Sequence, residues 1–191
     1  LQALDMPQGG PAFPLASLGV RGRWQSGPWA VLAGVFSGEP APETYDDPQH
    51  GNPYGLSFPL KGALAIAEAQ YSVGQGEGQY AGVYKLGGWY DSLSFADQRY
   101  NIFGQPLADP AVDPTPRSHN GNFGLYAVAD QMVWRGAEKE RTLNLFVRPT
   151  FAPQGDRNLV TFGINGGLAL HAPLPGRKDD TFALGVGYVK L

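Results

Sequence analysis

The chain contains no cysteine, which excludes disulfides, thiolate metal sites and cysteine nucleophiles together. It is also short of charge: Asp, Glu, Lys and Arg make up 16% of its residues, against roughly 25% in an average soluble domain. With a net charge of −3 it offers no basic surface to neutralise phosphates. Nucleic acid is therefore not an expected partner, and neither is a membrane held by a polybasic patch. The longest apolar run, WAVLAGVF at 29–36, is eight residues, far short of the roughly 18 a spanning helix needs. A sustained i, i+3, i+4, i+7 pattern is missing as well. The opening LQALDMPQGGPAFPLA shows no basic region followed by an apolar core, as expected of a cytosolic chain or of a mature or excised piece of an exported one.

What the 191 residues do hold is 27 Gly, 17 Pro and 12% aromatics, in a two-residue alternation. Apolar positions at i, i+2, i+4 predict eight strands over 18–25, 29–37, 63–73, 79–90, 122–134, 141–152, 158–171 and 181–191. One set of connections is short and rich in Gly, Pro or charge: SGP at 26–28, GQGEG at 74–78, RGAEKE at 135–140 and APLPGRKDD at 172–180. The other set holds the long stretches from Gly38 and from Asp91 to Gly121, with only PQGDR at 153–157 short. Strand direction alternates in a meander, so the two sets lie at opposite ends. Short turns at one end and long loops at the other are the pattern of outer-membrane barrels.

Aromatics sharpen that reading. Trp24, Trp29, Tyr71, Tyr80, Trp134 and Phe182 fall near the short turns, and Phe36, Trp89, Tyr90 and Phe151 near the other end. Two such rows match the girdles at both membrane interfaces.

Each strand carries one apolar and one sparse polar face. In TLNLFVRPTF, Leu143, Leu145, Val147 and Phe151 oppose Asn144, Phe146, Arg148 and Thr150. A free soluble surface would be dense in Lys and Glu; a face of Gly, Asn, Thr and Gln with one or two charges suits the inside of a water-filled channel. Pairing Val73 with Tyr80 would set Glu68 directly opposite Lys85 on that face, where neither charge meets lipid. Leu64, Ile66 and Val83 share it and fit best beneath an infolded loop.

No GxSxG, P-loop or strand-to-helix GxGxxG is present, so an enzyme is not expected. His50, His119 and His171 lack metal-ligand spacing, and ETYDD lacks that of a calcium loop. No cofactor is implied.

The succession PLASLGVRGRWQ, VLAGVFSGEP, DDPQHGNPYG, GALAIAEAQY, YKLGGWYDS, GLYAVADQMVWR, LNLFVRPTFAPQGDRNLV and DTFALGVGYVKL resembles the OprB-type carbohydrate-selective porins of Gram-negative outer membranes. The resemblance implies a barrel of sixteen antiparallel strands through which monosaccharides diffuse. Only eight strands are expected here, as half of such a barrel or as a small closed one. On this reading Arg21, Arg23, Glu68, Gln70, Lys85, Trp89, Asp130, Asn144, Arg148 and Asn165 line the pore and meet the sugar. The partners are sugars, outer-membrane lipid or detergent, and the remaining strands of the same porin or a second copy. The rivals are a soluble or small eight-stranded barrel holding a ligand, and a non-conducting outer-membrane scaffold.

Overall fold

The computed structural model describes residues 17–39, 60–137 and 140–191; His50 and most of the long stretch from Gly38 lie outside them. Among the described residues there are eight strands and no helix: β1 Gly19–Ser26, β2 Trp29–Phe36, β3 Leu64–Val73, β4 Gly82–Asn101, β5 Pro116–Arg135, β6 Thr142–Phe151, β7 Phe162–His171 and β8 Thr181–Lys190. They form one antiparallel sheet in chain order, as the alternation predicts. Among the described residues the sheet does not close: β1 pairs only with β2 and β8 only with β7. The small closed eight-stranded barrel is thereby corrected, because closure would require those two edges to meet.

Register differs from expectation at one hairpin. Between β3 and β4 the turn occupies 74–81, so Val73 pairs with Gly82 rather than Tyr80. Gly74 stands at φ 61°, and a Cβ there would lie 2.0 Å from the Tyr80 carbonyl oxygen, so this wider turn requires glycine. The register moves by two. Glu68 then faces Gly87, and Lys85 faces Gln70. Glu68 and Lys85 remain on one face because the shift is even, but they are diagonal neighbours and not a direct pair.

A second correction concerns 91–121, expected as a long loop. β4 and β5 run 20 residues each, twice the length of β3 or β6, and extend beyond the sheet as a two-stranded arm. A register shift falls between Asp91 and Ser94. There, four steps of β4, Asp91 to Phe95, run beside three of β5, Asn122 to His119. Gly121, at φ 72°, absorbs the difference. Below this bulge the outer side shows Leu86, Tyr90, Phe123 and Leu125. Above it the same side shows Ser94, Ala96, Gln98, Ser118 and Asn120.

Most of the sheet is a single layer, and among the described residues five of the eight buried apolar ones gather at the arm end, Leu64, Trp89, Leu93, Phe95 and Ala152, while Ala30 and Val128 lie within the wall and Ala172 at the short-turn end. Leu93 is covered by the ends of the β2–β3 connection, where a Cβ on Gly38 or Gly62 would meet its side chain at 3.1 and 2.6 Å. Leu64 is 1% exposed, which explains an apolar residue on the polar face.

Candidate functional site on the polar face

Following the register from strand to strand sorts every wall side chain to one side or the other. One side carries Val20, Trp24, Val31, Val35, Leu86, Leu125, Leu145, Leu184 and Val186, with only Lys190 charged, at its rim. Val20 and Val186 are 73% and 76% exposed. A contiguous exposed apolar surface of this extent is foreign to a water-soluble monomer. It is bounded by Trp24, Trp29, Tyr71, Tyr84, Trp134 and Phe182 at the short-turn end and by Tyr90, Phe123 and Phe151 at the other. Trp29 and Tyr71 stack at 4.5 Å between centroids. Phe36 and Trp89, expected in the second row, lie on the opposite side; their strand-end position suggested a girdle, but their parity turns them inward. A shallow depression of about 540 Å³ also belongs to the apolar side, over Gly22, Ala33, Ala67 and Gly88 and rimmed by Val20 and Tyr90.

The other side holds all ten predicted site residues: Arg21 and Arg23 on β1, Glu68 and Gln70 on β3, Lys85 and Trp89 on β4, Asp130 on β5, Asn144 and Arg148 on β6, and Asn165 on β7. Six of them share two adjacent levels. Gln25, Ala30, Gln70, Lys85 and Val128 form one cross-strand row, which the register continues to Arg148 and Asn165. Arg23, Leu32, Glu68, Gly87, Tyr126 and Thr150 form the next. Asp130 lies one level toward the short turns, beside Val83 and Phe146. Arg21 and Arg23 stand exposed on the open edge strand, and Trp89 is buried at the covered end.

A carboxylate inside this wall is satisfied by neutral donors. Glu68 accepts a hydrogen bond from Gln70 Nε2 and one of 2.7 Å from the Tyr126 hydroxyl. Tyr126 reaches two strands across because Gly87 lies beneath its ring, where a Cβ would stand 2.4 Å from Cζ. The same device recurs: Trp89 lies over its cross-strand partner Gly124, Phe36 over Gly19, and Phe146 over Gly167. The cations are differently placed. Arg148 sits 4.8 Å from the Phe146 ring centroid, and its buried Nε has no hydrogen-bond partner.

At the covered end the connection 152–161 is fastened to the arm by polar groups. Asn122 and Asn158, both buried, exchange amide hydrogen bonds of 2.7 and 3.0 Å. Arg157 donates to the carbonyls of Asn120 and Gly121. His119 Nε2 lies 2.8 Å from Asp97 Oδ2 and 3.6 Å from Asp156 Oδ2. The hydrogen bond with His119 holds the Asp97 carboxyl down at about 2, and Arg157 lowers that of Asp156. Farther out, the fully buried Asn101 accepts from the amides of Phe103 and Gln105 and donates to Gln105 Oε1 and the Asp113 carbonyl. None of this network was foreseen in the sequence, nor was Tyr126. A glycine opposite an aromatic is the signal that finds Tyr126, once the register is known.

Comparison with known proteins places this wall among relatives. Residues 2–191 match the family model described as the carbohydrate-selective porin, OprB family. Porin B of Pseudomonas aeruginosa is 26% identical over 180 residues, covering 93% of this chain and 38% of that protein. The high-pH structure of Pseudomonas putida OprB superposes with a TM-score of 0.76 at 25% identity, covering 93% of this chain and 40% of that one. The chain thus spans about two fifths of the length of the relatives it matches.

Proposed function

Since the chain belongs to the OprB family of carbohydrate-selective porins, we propose that its eight strands form part of the wall of a Gram-negative outer-membrane barrel through which monosaccharides diffuse passively. Family membership points to transport rather than catalysis. The observation that carries the reading is the division of the wall. One face is exposed and apolar between two aromatic rows; the other gathers every charged and amide side chain of the site. A Lys or Arg turned to the bilayer midplane costs about 2–4 kcal/mol, so lipid takes the first face and water the second. Strands of ten residues, tilted as in such barrels, cover an apolar band of about 25 Å, and the change of outer-face chemistry at the bulge marks where that band ends.

The open edges of β1 and β8 leave two rows of backbone donors and acceptors that cannot remain unpaired in lipid. Further strands, from a longer chain or from a second copy, complete the barrel. Selectivity follows from width and from hydroxyl exchange with Glu68, Gln70, Lys85, Asn165 and Arg148, with Arg21, Arg23, Asp130, Asn144 and Trp89 lining the rest.

The test is reconstitution of the full-length protein in liposomes. Swelling in isotonic monosaccharide, faster than in trisaccharide, is the expected result. Absence of sugar flux, or a monodisperse protein in detergent-free buffer, overturns the reading.

A further inference from the structure

The cations of the wall are arranged unlike its acids. Glu68 is occupied by Gln70 and Tyr126, whereas neither Lys85 nor Arg148 has a carboxylate within ion-pair distance among the described residues. The two lie on one level with Val128 between them, two strand spacings or about 10 Å apart. Val128 is only 6% exposed, so the longer side chains around it close over that point. Gln70 and Asn165 flank the pair as the next residues of the same row, adding amide donors on either side. Two carboxylates stand diagonal to the pair: Asp130, exposed, a level toward the short turns and diagonal to both cations, and Glu68, on the other level, diagonal to Lys85 and already bonded to Gln70 and Tyr126. The Arg148 side chain is half-exposed and makes no hydrogen bond or ion pair among the described residues, so its terminal nitrogens keep binding capacity that a neutral sugar hydroxyl uses only in part, while a carboxylate matches their planar fork.

We infer that the Gln70–Lys85–Arg148–Asn165 row is a docking station for the carboxylate of an acidic monosaccharide, a uronic or aldonic acid, so that the channel favours anionic sugars over neutral ones of the same size. This rests on the sugar-channel reading. The row lies across the sheet and perpendicular to transit, so a solute meets both cations at one depth. Its hydroxyls then reach Glu68 and Tyr126 on the adjacent level.

The experiment is flux of glucuronate and of glucose through full-length protein in neutral-lipid liposomes at low ionic strength, read as a ratio. That ratio is expected to exceed one, and to fall about fivefold when Lys85→Gln and Arg148→Gln are combined, the scale of two exposed charge contacts. Arg148→Lys keeps most of the preference, Asp130→Asn raises it, and 0.5 M salt erases it. A ratio near one in the wild type, or one unmoved by the double substitution or by salt, overturns the inference while glucose flux leaves the channel reading standing. Absence of flux for both sugars defeats the channel reading and this inference with it. Because each variant is scored against its own glucose flux, loss of folded protein does not imitate the effect.

Discussion

β4 and β5 run through both the wall and the arm, and the two regions are held by opposite means. In the wall, Leu86 and Tyr90 point into the apolar surroundings and the inner face is open, so the sheet has no second layer to pack against. Its cohesion comes from the hydrogen-bonded ladder and, on the barrel reading proposed above, from lipid on the apolar face. Past the bulge at Asp91–Ser94 the outer side turns small and polar, the inner side is covered, and buried asparagines and a His–Asp pair fasten loop to strand. A strand therefore changes its mode of stabilisation at the bulge, which on the proposed reading is where it leaves the membrane.

Substitution on the outer face tests that division most severely. Leu86→Arg should cost about 2–4 kcal/mol in refolding titrations into bilayers, whereas Ala96→Arg, ten residues along the same side of β4, should cost close to nothing. Equal costs would remove the proposed membrane boundary from the bulge. Next in size is Asn122→Ala, which strands the Asn158 amide in a buried site and should cost about 1–3 kcal/mol. Hydrogen exchange should show the loss confined to the arm and 152–161, with the wall unchanged. A smaller effect, about 1 kcal/mol, is expected from Gly87→Ala, which pushes the Tyr126 ring off its seat and breaks its bond to Glu68. Here the change should appear in the wall and spare the arm.

The smallest effect is a pH dependence of the arm. The folded Asp97 carboxyl lies at about 2, below its ordinary 3.8. Its contribution is therefore complete above pH 3.8 and disappears as pH falls toward 2. Exchange protection of the arm should decline across that window while the wall holds, and Asp97→Asn should remove the difference.

How far the sequence discloses these two regions follows from the same physics. The wall is legible because one apolar and one polar face impose a period of two, and an error of two residues in the β3–β4 register leaves Glu68 and Lys85 on their proper face. The arm is not legible. No apolar outer face is demanded there, so Ser94, Gln98, Ser118 and Asn120 read as a loop, and Asn101 and Asn122 read as turn residues although each is a buried anchor. Phe36 and Trp89 illustrate a third case: a place at a strand end reads as girdle, while the alternation within each strand assigns them to the inner face. The open edges of the sheet have no local signature at all, since closure depends on strands that no single segment specifies.

The rings laid over Gly19, Gly87, Gly124 and Gly167 also settle a question of calibre. A ring lying flat on a bare backbone takes up about 3.5 Å of depth, one van der Waals layer, whereas the same ring propped upright by a methyl beneath it would project well into the lumen. On the channel reading proposed above, each glycine opposite an aromatic is thus clearance for a solute, and adding a single carbon at four such places is expected to narrow the bore without changing one charge along it.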